Sequence, residues 1–202
     1  MGILQWQKSL GGSYLEQAEY IIQIGDGGYL VSGISTSNDG DVSDHHGSVG
    51  SNFDPWIVKL SSNGTIQWQQ SLGGVDDESF LYNICPSSDG GVILCSRVDS
   101  ISNSNLPNGY HGKGDAWLCK MNPDGVIEWQ KLIGGSDEDI AITTIQTSDG
   151  GYAFCGYTAS TDGDVTVTGH GISYTDIWIV KLRATTDTKE GVTTPLSFYP
   201  NP

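Results

Sequence analysis

The chain has 202 residues, of which 28 are glycine, nine tyrosine and six tryptophan. Its 24 acids against 9 bases leave a formal charge of −15, a field that repels phosphate backbones and anionic membrane surfaces and so argues against a nucleic-acid partner. No run approaches the roughly 20 apolar residues of a membrane-spanning helix, and the Gly-, Val- and aromatic-rich mix favours short strands joined by tight turns.

In chain order, the first element is ILQWQKSLGG (3–12), which matches TIQWQQSLGG (65–74) and VIEWQKLIGG (126–135). Next, EYIIQI (19–24) and GYLVSGI (28–34) flank Gly25-Asp26-Gly27, and Asp-Gly between β-rich runs predicts a hairpin. A loop over 35–54 leads to WIVKL (56–60), where alternation puts Trp56, Val58 and Leu60 on one face and Ile57 and Lys59 on the other. TIQWQQSL (65–72) follows the turn Ser61-Ser62-Asn63-Gly64 and completes a four-strand unit. That unit recurs: Trp6, Trp68 and Trp129 lie 62 and 61 residues apart, and Trp56, Trp117 and Trp178 lie 61 and 61 apart. A third marker, GDGGYLVSG, SDGGVILCS and SDGGYAFCG, is anchored at Asp26, Asp89 and Asp149. Self-similarity at a fixed period is the signature of a repeat architecture. The fold class is therefore all-β, with three four-stranded repeats of about 61 residues.

Full units run from about 16 to 74 and from about 78 to 135, whereas the third, from about 139, stops at Leu182 without a fourth strand. The N-terminal ILQWQKSL supplies the missing sequence, so residues 3–9 are expected to pair with strand 177–182, within one chain or across two, and close a ring. Closure hides a sheet edge that would otherwise invite aggregation. Residues 3–182 then form one domain, for which propeller-like blades, a threefold β-prism and a β-trefoil all fit three four-stranded repeats. Propellers have four to eight blades, so three imply a homodimeric six-bladed ring, further blades, or a compact threefold monomer. Residues 183–202, rich in Thr and without alternation, read as a linker. Cys95 and Cys155 share one repeat position and Cys119 replaces Val58 and Val180, a pattern expected of small buried core residues.

The pattern DGGYLVSGISTSNDGDV…HG…DPWIVKLSSNGTIQWQQSLGG resembles the repeats of secreted β-propeller proteins from the Bacteroidetes, over roughly residues 3–182. PLSFYPNP (195–202) resembles the start of the C-terminal sorting domain used by type IX secretion, through Tyr199, Pro200, Asn201 and Pro202. The resemblance implies recognition by the type IX machinery and a secreted or cell-surface location.

Chemistry is expected on the loops over 35–54, 99–115 and 158–176, which leave one end of the sheets. Two carry Asp39-Gly40-Asp41 and Asp162-Gly163-Asp164. Alternating carboxylates around a glycine suit calcium, which takes six to eight oxygens; the alternative is a tight turn with Asx hydrogen bonds. His46, His111 and His170 recur before the Trp-bearing strand, with His45 extra; they suit loop organisation, or zinc if they converge. No G-x-S-x-G, His-plus-Cys nucleophile arrangement or phosphate loop appears. The expected function is a non-enzymatic binding or adhesion module with a glycan or protein ligand. The alternatives are a polysaccharide-active enzyme or its subunit, and a structural spacer. Exposed Tyr110 or Tyr174 would suit a sugar.

Overall fold

The computed structural model describes residues 2–74, 83–99, 106–166 and 174–184. Among these, eleven strands form three antiparallel sheets and there is no helix. The first sheet is β1 (Glu16–Gln23), β2 (Tyr29–Ser35), β3 (Asp54–Leu60) and β4 (Ile66–Ser71). The second is β5 (Asn83–Pro86), β6 (Val92–Val98), β7 (Asp115–Met121) and β8 (Ile127–Ile133). The third is β9 (Asp139–Gln146), β10 (Tyr152–Thr158) and β11 (Asp176–Leu182). Strands neighbour one another in chain order, and the third sheet has three strands, as its sequence predicts. No helix among the described residues is long and apolar enough to cross a membrane.

Each first hairpin turns as its Asp-Gly predicts: Asp26, Asp89 and Asp149 accept through Oδ1 from the N–H of Gly28, Gly91 and Gly151 at 2.8, 2.9 and 3.1 Å. The structure adds a partner that the turn chemistry does not require. Lys59, Lys120 and Lys181 reach these aspartates at 3.3, 2.8 and 2.9 Å, tying strand three of each sheet to its first turn. Lys120 is buried, and Glu128 at 2.7 Å gives it a second carboxylate.

Alternation along the third strand of each sheet decides how the sheets stack. Trp117, Cys119 and Met121 of β7 face Leu30 and Ile57 of the first sheet in one apolar cluster. Ala116 and Leu118, on the opposite face of β7, meet Phe154, Trp178 and Val180 of the third sheet in another. Each sheet thus has a leading face, bearing Trp, and a trailing face, and the trailing faces of the first and second sheets pack on the leading faces of the second and third. Trp56, Val58 and Leu60 form the leading face of the first sheet, against Leu10. The four cysteines are free thiols, with Cys95 and Cys119 buried.

Within one chain the expected pairing of the N-terminal segment with β11 is not formed. Residues 3–9 lie outside any strand, and among the described residues β11 has β10 as its only hydrogen-bonded neighbour. The N-terminal segment sits instead on the first sheet, with the Trp6 ring 5.6 Å from that of Tyr29 at 70°. Trp129 of β8 meets Tyr152 the same way, at 5.4 Å and 61°. The segment therefore occupies the place that an outer strand takes against the following sheet. Packing on that next sheet, rather than pairing at its own sheet's edge, holds it.

Candidate functional site

The connections between the second and third strand of each sheet emerge at one end, where β1 begins and β2 ends (Glu16 opposite Ser35) and β9 begins and β10 ends (Asp139 opposite Thr158). In the first unit, Asp39 Oδ1 accepts from Ser13 N at 2.7 Å and Asp39 Oδ2 from Ser13 Oγ at 2.5 Å. Asp41 Oδ2 accepts from Gly11 N at 3.1 Å, and Asp41 N donates to Gly11 O at 3.0 Å. The third unit repeats the arrangement: Asp162 Oδ1 accepts from Ser136 N at 2.7 Å and Asp164 N donates to Gly134 O at 2.8 Å. Bonds from the serine hold the carboxyls of Asp39 and Asp162 below the usual carboxylate range.

So the Asp-Gly-Asp turns are clasps. Each grips the Gly-Gly that follows the outer strand of the preceding unit, or of the N-terminal segment in the first case. Close approach explains the central glycine: a Cβ on Gly163, whose φ is +62°, would lie 2.5 Å from Gly134 O. Behind the clasp, Glu16 Oε2 accepts from Gly12 N at 3.0 Å, as Asp139 Oδ2 does from Gly135 N at 2.7 Å. Asp139 also accepts from the hydroxyls of Thr158 and Ser160.

Two of the patterned histidines bind the first residue of the strand that follows. His46 bonds Asp54 Oδ2 through its N–H at 2.6 Å and its Nδ1 at 2.9 Å. His111 bonds Asp115 Oδ2 through the same two atoms at 3.0 Å each. His45 Nδ1 lies 3.3 Å from Asp54 Oδ2 but is not aligned for a hydrogen bond. Burial pushes the carboxyls of Asp54 and Asp115 up, against the lowering effect of the histidines, and Asp139 adds to the rise at Asp115. Asp54, Asp115 and Asp139 are all fully buried, which places them out of reach of a substrate. His170 lies outside the described residues.

Among the described residues no group of three or more His, Cys, Asp or Glu converges as a metal cage. The structure brings Asp39 together with Asp41, and Asp162 with Asp164, around backbone amides, while the two pairs belong to different units. Arg97 is a residue the sequence did not mark: it joins Asp99, through Nε at 2.6 Å, to Glu138 at the entry to β9. Its place in β6 is taken by Ile34 and Tyr157 in the other units, so no repeat signal pointed to it. Tyr110 is not a free ring, since its hydroxyl donates to Asp99 O and it packs against the first apolar cluster. Tyr174 and Tyr14 are open to solvent at this end, at 81% and 58% exposure. Comparison with known proteins adds no relative: no family model matches the chain and no curated protein is significantly similar to it.

Proposed function

We propose that the chain is a secreted or surface-displayed binding module of β-propeller type, engaging a neutral or basic glycan or protein through its loop end. The observation that carries this reading is the loop end itself. Its recurring polar side chains are committed to clasps and strand starts, which build a stiff platform presenting Tyr14 and Tyr174 outward. Tyr14, whose N–H donates to Ser37 Oγ at 2.9 Å beside the first clasp, suits a preorganised binding face, because less freedom is lost when a ligand seats. A charge of −15 favours neutral or basic partners over anionic ones.

The chain's delivery is part of the proposal: the segment ending Tyr199-Pro200-Asn201-Pro202, outside the described residues, would direct type IX export in a Bacteroidetes host. A glycan array probed with the 202-residue chain, followed by Tyr14→Ala and Tyr174→Ala, tests the platform. Binding is expected to weaken by about five- to tenfold per ring, the scale of an aromatic contact worth about 1–1.4 kcal/mol, while the urea midpoint stays in place. Hits that survive both substitutions would place the ligand elsewhere.

A further inference from the structure

The two ends of the stack carry surfaces that match each other by the rule already used inside it. At the trailing face of the third sheet, Ile177 and Ile179 are 85% and 72% exposed, whereas Ile57 and Leu118, the counterparts of Ile179 in β3 and β7, are at 0%. Those counterparts are covered because another sheet packs on them. At the other end, Trp56, Val58 and Leu60 on the leading face of the first sheet are buried beside the chain's own N-terminal segment, and a cleft of about 240 Å³ lined by Trp6, Leu10, Ile21, Val31, Trp56 and Val58 remains there, with Ile21 exposed. Inside the chain, trailing face meets leading face twice. Here a trailing face is left uncovered, and the leading face it would meet carries no sheet, only the N-terminal segment and the cleft beside it.

The N-terminal segment specifies how they would join. In sheets one and two the third and fourth strands pair Val58 with Gln69 and Lys59 with Trp68, then Cys119 with Gln130 and Lys120 with Trp129. In each, the fourth-strand glutamine takes the indole N–H of the third-strand tryptophan: Trp56 to Gln69 at 2.7 Å and Trp117 to Gln130 at 3.1 Å. Trp178 has no such glutamine among the described residues, and Gln7 of the N-terminal segment stands at that repeat position. Ile3 and Leu4, which correspond to Thr65 and Ile66, are exposed.

We infer that a second copy of this chain docks head to tail, its residues 3–9 adding as fourth strand to β11 and its first sheet covering Ile177 and Ile179, with the exchange reciprocal. The pairing sets Gln7 of the second copy opposite Val180 and Trp6 opposite Lys181, with Gln7 accepting from the Trp178 indole. Two copies supply six sheets, within the four to eight that closed rings use, whereas one copy supplies three. A reciprocal exchange closes at two copies and gives each third sheet its fourth strand, so that β11 is no longer an edge. Like charge opposes the approach, but screening over about 8 Å at physiological salt confines that to charges near the seam. None of this depends on what the loop end binds.

Sedimentation equilibrium of the 202-residue chain at physiological salt is the test, since one copy weighs 21.6 kDa. The expected mass is twice that. Ile179→Arg, placing a charge on the face to be covered, is expected to give the single-copy mass with an unchanged urea midpoint at dilutions where both proteins are monomeric. Val126→Arg, at an exposed turn residue away from both end faces, is expected to keep the double mass. A monomeric parent, an open polymer, or an Ile179→Arg variant that still pairs would overturn the inference.

Discussion

Gly163→Ala is the sharpest probe of the clasp, with Gly27→Ala as its reference. Both glycines have positive φ, +62° and +81°, so alanine costs each about 1 kcal/mol in backbone conformation. The same loss of unfolded-state freedom accompanies both substitutions and cancels in the comparison. What differs is the space: a Cβ on Gly27 meets nothing within 4 Å, while on Gly163 it lies 2.5 Å from Gly134 O and 2.9 Å from Gly135 Cα. Ordinary contact begins near 3.4 Å, so the Gly134 carbonyl must retreat by roughly 0.9 Å. Such a shift breaks the 2.8 Å bond from Asp164 N and pulls on the 2.7 Å bond from Ser136 N to Asp162. At about 1 kcal/mol per lost bond the clasp adds about 2 kcal/mol. Gly163→Ala should therefore lose about 3 kcal/mol and Gly27→Ala about 1 kcal/mol. For a chain of this length that means falls of roughly 6–12 °C and 2–4 °C in Tm by calorimetry. In an Asp162→Ala background the extra loss at Gly163 should shrink, because part of the clasp is already gone. Equal falls for the two glycines would refute the clasp.

Asp115 gives a pH prediction with a definite sign. Burial raises its carboxyl pKa, so its contribution to stability is full below the unfolded value and is lost as pH rises through the raised folded value. Asp115→Asn keeps an acceptor for His111 N yet removes that loss, so urea unfolding should show the variant gaining on the parent as pH rises above the ordinary aspartate value of about 4. Each tenfold change in proton affinity on folding is worth about 1.4 kcal/mol, which sets the scale of the gain, and a pH-independent difference would count against the burial argument. Calcium is tested by melting the protein over a range of free calcium. A cation held at Asp39 and Asp41, or at Asp162 and Asp164, raises Tm with the logarithm of its concentration. Amides already bond the carboxylates of Asp39, Asp41 and Asp162, so if the loops are turns alone the melting curve stays in place, and a logarithmic rise would show that they hold a cation.

Sequence alone determined what repetition can carry. Alternation in DPWIVKL, DAWLCKM and DIWIVKL assigned the third strands and their two faces, and the DGG turns fixed the hairpins, because period-two alternation and Asp-Gly geometry are local properties. The missing fourth strand of the third unit was legible for the same reason. Tertiary structure decided the partners. Asp39 and Asp41 read as a loop with spare oxygens, and only the stacking of one unit on the next brings Gly11 and Ser13 to them. Lys59, Lys120 and Lys181 are spaced to meet Asp26, Asp89 and Asp149 only once the hairpin folds strand three past the first turn. The N-terminal segment shows the limit most plainly. Its sequence names it as a fourth strand, and only the structure shows that within one chain it lies on the first sheet, half-buried Trp6 against Tyr29, apart from β11.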